Sequence, residues 1–147
     1  MGEQIVIGSA MIAITVVIHT VGLIGLIPIL RASAAVLAEF HELGRLILLL
    51  IAVIIGIFLI HSLEIWLWAA VLVWLGEFDN FQRALYFSTT TYTTLGYGDI
   101  TLQVRWQLLA GLEAVNGVLL FGVSTAFIFA TIRQLFAKAL ITAAPKK

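Results

Sequence analysis

The chain has 147 residues, of which 62% are hydrophobic and 11% charged, with no net charge and no cysteine. A soluble domain does not carry so much Ile, Leu, Val and Ala, so the composition points to a membrane protein. It excludes disulfides and thiolate metal sites, and the balanced charge argues against a nucleic-acid partner.

Three stretches are long enough for the ~20 apolar residues that a spanning helix needs. The first runs from about Gln4 to Leu30. Its apolar core far exceeds the roughly 7–15 residues of a secretory leader, and Glu3 stands where such a leader is basic. It therefore reads as a true span. Residues 31–45 follow as a cytoplasmic connector. Ser33 is a plausible cap there, and Val36, Leu37, Phe40 and Leu43 recur at helical spacing, away from Glu39, Glu42 and Arg45. That pattern predicts either a short amphipathic helix on the inner membrane surface or a plain helical connector. His41 within it reads as an ordinary solvated or interfacial histidine.

The second span runs from about Leu46 to Leu75. A short helix from Phe81 to Tyr92, too short to cross, follows it, with Asp79 or Asn80 as its cap. The third span runs from about Leu102 to Phe136, and the tail 143–147 is expected to be disordered. Arg31, Arg45, Arg133, Lys138, Lys146 and Lys147 fall on one side, against Arg83 and Arg105 on the other. The positive-inside rule then puts the first loop and the C-terminus in the cytoplasm and the N-terminus outside. Trp74 and Trp106 stand near outer span ends, where interfacial aromatics belong.

Between the short helix and the third span lies Thr93-Thr94-Leu95-Gly96-Tyr97-Gly98-Asp99. Backbone carbonyls turned inward can replace the water shell of a dehydrated potassium ion. The required alternating backbone suits Gly96 and Gly98, because glycine populates positive φ readily. Thr94 can add a hydroxyl ligand. Leu95 and Tyr97 would pack outward, and Asp99 would place negative charge at the mouth.

The run Ser88–Asp99 resembles the pore-helix end and selectivity filter of the potassium channel superfamily, nearest to small bacterial channels with one pore loop. In architecture the resemblance covers roughly residues 46–137. It implies two units, an N-terminal helix with its connector (1–45) and a pore domain (46–147). The implied fold is an all-α membrane protein with three spans, a re-entrant pore helix and a filter loop per chain. One loop cannot enclose an ion, so the resemblance implies a homotetramer around a central pore. K+ would bind at Thr94, Leu95, Gly96 and Tyr97, with no organic cofactor and passive transport rather than catalysis. Thr93, Asp99, Tyr86 and Phe87 would support the filter. The usual proline after the filter aspartate is missing, and Ile100-Thr101-Leu102 stands there instead. The third span would be the inner helix, with Gly117 as a hinge or a close-packing site, Gly111 and Gly122 as lesser hinge candidates, and Phe127 and Phe129 as either a constriction or ordinary lipid-facing or interhelical packing. No span carries a voltage-sensing arginine ladder. No regulatory domain is expected after the third span, so gating would come from the pore, lipid, pH or a separate partner.

Four ionisable groups lie within the spans, namely His19, His61, Glu64 and Glu113. At ~1.5 Å of rise per residue, Glu64 and Glu113 come out about 15–16 Å below their outer ends, and the histidines about 21–23 Å below. They read as one broad polar layer, extended by Asn116. Three readings compete: a structural hydrogen-bond network behind the filter, a pH-coupled switch, and a divalent-metal site of His19, His61, Glu64 and Glu113. The competing functions are a weakly selective cation channel and, from a different class, a membrane metal-binding protein.

Overall fold

The computed structural model describes residues 2–37 and 40–142, with 138–142 described by backbone alone. The described residues form four helices and no strand: α1 (Gly2–Val36), α2 (Glu42–Trp74), α3 (Phe81–Tyr92) and α4 (Gln107–Thr142). α1, α2 and α4 are each long and apolar enough to cross a membrane. α3 is not.

The buried residues of α1 are Gln4, Gly8, Met11, Thr15, His19, Leu23 and Leu26, a single stripe at three- and four-residue spacing. α2 buries a matching stripe, Leu49, Val53, Ile57, His61, Glu64, Trp68 and Leu72. Such stripes are one face of a helix. Small residues let the two helices close up: Gly22 faces Ile60 and Gly56 faces Leu26. The pairings His19–Glu64, Gly22–Ile60 and Leu26–Gly56 run in opposite directions, so α1 and α2 are antiparallel. α1 and α4 are parallel, because Gln4 meets Leu108, Thr15 meets Asn116 and His19 meets Ser124. At the start of α4, Gln4 Oε1 accepts from the Leu108 N–H at 3.2 Å, which satisfies one of the orphan donors of a helix N-terminus.

Three boundaries differ from the sequence expectation. Residues 31–36 continue α1 instead of opening a separate connector, so Ser33 lies inside the helix. The run Arg-Ala-Ser-Ala-Ala-Val contains no breaker, and alanine is the best helix former. α2 starts at Glu42, four residues earlier than expected; Ala38 and Glu39, between the two helices, lie outside the described residues. α4 begins at Gln107, several residues later than expected, because Gln103–Trp106 forms a turn in which the Trp106 N–H donates to the Gln103 carbonyl at 2.7 Å. Trp106, one residue before α4, is buried in the core with the Arg105 guanidinium 5.0 Å from its ring, whereas Trp74, the last residue of α2, is 77% exposed. The expected disorder of 143–147 concerns residues outside those described.

The short helix lies where the sequence put it. Asn80 Oδ1 accepts from the Arg83 N–H at 2.9 Å, a side-chain N-cap, and Asp79 is not the cap. α3 packs between α2 and α4, with Ala84, Phe87, Ser88, Thr90 and Tyr92 buried. Asn80→Ala should lower thermal stability in detergent by about 1 kcal/mol, the usual value of a lost cap. Asp79→Ala should change it by less than about 0.5 kcal/mol. Equal losses in the two variants would contradict the assignment of the cap.

Candidate functional site: the loop after the short helix

The C-terminal turn of α3 runs directly into the loop. The Thr93, Thr94 and Gly96 N–H groups donate to the carbonyls of Thr89 (3.2 Å), Thr91 (2.9 Å) and Thr90 (3.0 Å). The backbone then alternates in hand. φ is 59° at Thr94, 47° at Gly96 and 76° at Gly98, while Leu95 and Tyr97 between them stay out of the positive region. Glycine takes positive φ without cost. Thr94 is β-branched and does not, so its conformation is a true outlier of the kind that gathers at functional sites. The sequence pattern pointed to the two glycines but not to this strain at Thr94. Residues 93–99 are all exposed in the single chain, including Leu95 (56%) and Tyr97 (67%).

Two neighbours brace the loop. The Tyr86 hydroxyl donates to Asp99 Oδ2 at 2.8 Å, and that hydrogen bond holds the phenol above its ordinary pKa. α4 passes against the last turn of α3 at Gly117, where a Cβ would run into the Tyr92 carbonyl oxygen. Gly117 thus sits at a close backbone approach, while Gly111 and Gly122 meet nothing within 4 Å. Phe87 lies on the interior side of α3, its ring 5.4 Å from that of Phe78. Of the two readings of Phe127, the structure shows interhelical packing, with the inner cluster of Leu23, Leu26, Val53 and Ile57. Phe129 is 63% exposed.

The ionisable residues divide into two groups rather than one layer. His19, His61 and Glu64 come together with Tyr92 and Ser124. Glu64 Oε1 lies 3.0 Å from His19 Nδ1, and Oε2 lies 3.0 Å from His61 Nδ1. Tyr92 donates its hydroxyl to Oε2 at 2.7 Å. On the far side of both imidazoles, Ser124 Oγ lies 2.9 Å from His61 Nε2 and 3.2 Å from His19 Nε2. All five side chains are buried. Ligand atoms of His19, His61 and Glu64 lie within 4.8 Å of one another, so a metal could be considered there, but Glu113 is not among them.

Glu113 faces Ser88 on α3 without reaching hydrogen-bond geometry. Asn116 donates to Thr15 Oγ1 at 2.8 Å. The late start of α4 explains the separation: counted from Gln107, Glu113 lies only about 9 Å down its helix, not about 15 Å. Sequence reasoning missed Tyr92 and Ser124 as members of the first group. A signal was present for Ser124, since Glu113, Asn116, Leu120 and Ser124 repeat at three- and four-residue spacing along one face of an apolar helix.

A family model described as an ion channel matches residues 46–134, more than half of the chain. The chain belongs to this ion-channel family. It is a multi-pass membrane protein and a transporter of the pore-loop kind. No curated protein and no solved structure matches it. The matched segment starts in α2, includes α3 and the loop, and ends in α4; α1 lies outside it.

The contact at Gly117 gives a graded test. Gly117→Ala should destabilise the protein by roughly 1–3 kcal/mol, because the obstacle is backbone. Gly22→Ala should cost less, because its Cβ would meet the Ile60 side chain (Cδ1 at 2.7 Å, Cγ1 at 2.8 Å), which can move aside, and not backbone. Thermal melting in one detergent compares them, and a Gly117→Ala variant as stable as Gly22→Ala would contradict the close packing.

Proposed function

We propose that four copies of this chain form a K+-selective channel in the cell membrane, with K+ diffusing passively through a filter built from Thr94, Leu95, Gly96, Tyr97 and Gly98. The observation that carries this reading is the alternation of φ at Thr94, Gly96 and Gly98. A strand of uniform hand sends successive carbonyls to opposite sides. Reversal of hand at every second residue turns them to the same side, where they can replace the water around an ion. The Thr94 hydroxyl extends the row. Asp99, tethered by Tyr86, supplies negative charge at the outer mouth.

α3 is then the re-entrant pore helix, its negative dipole end aimed at the cation path. Non-helical backbone at that depth must be covered by protein or water. The full exposure of residues 93–99 in one chain fits coverage by neighbouring copies around an axis. α4 offers Val115, Val118, Leu119 and Val123 as an exposed face for the same assembly. Charge asymmetry supports an outward filter and N-terminus and a cytoplasmic C-terminus. Against a weakly selective pore stands Tyr97, which completes the longer queue of carbonyl sites.

Gly96→Ala tests the filter. No atom of the same chain obstructs a Cβ at Gly96, so any damage comes from forcing an L residue to φ 47°. Its cost is about 1–2 kcal/mol in each copy. The variant should insert and assemble yet lose K+ flux from liposomes. Normal, selective flux would remove the assignment.

Assembly gives an independent check. The purified chain should run as a tetramer in mild detergent, and K+ should raise its melting temperature over Na+, since a ligand of the assembled state alone stabilises that state. A monomer or dimer indifferent to the cation would contradict the four-chain pore.

A further inference from the structure

The buried group around Glu64 joins all four helices and ends on the residue that leads into the loop. His19 comes from α1, His61 and Glu64 from α2, Tyr92 from α3 and Ser124 from α4. Four of its contacts close a ring: Glu64 to His19, His19 to Ser124, Ser124 to His61, and His61 back to Glu64. Each link needs one proton between its two heavy atoms. Four protons fill four links. The ring then carries no net charge, whether written as carboxylate with one imidazolium and one imidazole, or as carboxylic acid with two neutral imidazoles. The two forms differ only by a shift along the His19–Glu64 link. A charge-neutral, fully bonded ring avoids the penalty of an unpaired buried ion.

The same proton count describes the group with no metal bound. Every ring nitrogen and oxygen already has a partner at 2.9–3.2 Å. No atom of the ring is among the buried polar atoms left unpaired, which belong instead to Glu42, Trp68, Ser88, Glu113 and Asn116. A divalent ion would have to displace protons from a satisfied network.

The ring reaches the loop through one side chain. Tyr92 donates to Glu64 Oε2 at 2.7 Å, and its main-chain carbonyl lies against the bare Gly117 of α4. It is therefore held at both ends, two residues before Thr94. On its other oxygen, Oε1, Glu64 is held from α1 by His19 Nδ1 at 3.0 Å.

We propose that His19, Glu64 and Tyr92 are positioning residues for the filter, and that α1, which lies outside the segment shared with the ion-channel family, sets the filter's geometry through this chain of contacts. The inference rests on the filter reading above. It is tested by two readouts, one of which does not require conduction.

The full-length protein would carry Tyr92→Phe, His19→Ala, His19→Asn, or Tyr92→Phe with His19→Ala. Tyr92→Phe removes one oxygen and keeps the ring edge-on to Phe121, at 5.6 Å between centroids. Asn places an N–H close to where His19 Nδ1 stands. The conduction-free readout is amide hydrogen exchange in detergent at the loop, where the Gly96 N–H donates to the Thr90 carbonyl at 3.0 Å. Tyr92→Phe and His19→Ala should each speed exchange across residues 93–99 by about fivefold or more, the lower range of couplings between sites. The double variant should be no faster than the faster single, because both break one path. His19→Asn should return exchange to within about twofold of wild type, a smaller change than that coupling range. In liposomes, the ratio of K+ to Na+ permeability should fall in the same order.

Unchanged exchange in Tyr92→Phe, or effects that multiply in the double variant, would overturn the inference even if the wild type conducts K+ selectively. Wild-type protein without K+ selectivity would remove the filter reading, and exchange would still decide whether α1 acts on the loop. One zinc or iron per chain in the purified protein, lost in His19→Ala, would replace the proton ring with a metal site.

Discussion

Backbone that is not helical cannot face hydrocarbon, because its N–H and C=O groups find no partner there. In the proposed channel this constraint governs the segment between α3 and α4. Residues 93–99 leave the helical ladder after Gly96 bonds back to Thr90, and they are exposed along their length. Only protein or water can cover them. The alternating φ at Thr94, Gly96 and Gly98 adds a second demand, since carbonyls gathered on one side, as the proposed filter has them, would form a dense row of negative dipoles. A row of that kind is stable when a cation neutralises it. In the proposed channel, assembly around an ion path would meet both demands at once, and the exposed apolar side chains of Leu95 and Tyr97 would then have neighbours to pack against.

The rest of the fold serves to hold that segment in place. α1 and α2 meet along narrow stripes and leave most of their apolar surface outside, as helices in lipid do. What is buried between them is partly polar. In hydrocarbon such groups are expensive unless paired, so a closed set of contacts among His19, His61, Glu64, Tyr92 and Ser124 gives the helices one well-defined register. The contact at Gly117 works differently. It depends on the absence of a side chain, and it brings the backbone of α4 against the end of α3. Together these fix the position from which the loop departs. Glu113 and Ser88 remain unpaired neighbours on the same side of α3.

The parts legible in the sequence were those with a local cause. The spans showed in their length and apolar content. α3 showed in its cap and in the threonine-rich run that ends it, and its bounds, Phe81 and Tyr92, are those observed. The loop showed in its glycines. What could not be read was which face of each span turns inward. α1 and α2 are apolar nearly all round, so periodicity marks no buried stripe there, and in α4 only the polar repeat of Glu113, Asn116 and Ser124 does. Depth alone therefore grouped Glu113 with His19, His61 and Glu64, and the late start of α4 separated it from them. Tyr92 was read as part of the motif rather than as a partner of Glu64. Residues 31–36 carried a helical pattern that fitted a surface helix equally well, and continuity with α1 decided the matter. Phe127 illustrates the same limit, because its inward face was fixed by packing against α1 and α2.

Ion selectivity is the central claim, and a reversal potential measures it most directly. The purified chain would be placed in a planar bilayer with a tenfold K+ gradient balanced by Na+. A K+-selective filter predicts current reversal near the K+ equilibrium potential, about 59 mV for a monovalent ion at that gradient. Reversal near zero would mean that Na+ and K+ pass alike, and it would contradict the assignment of Thr94–Gly98 as a potassium filter.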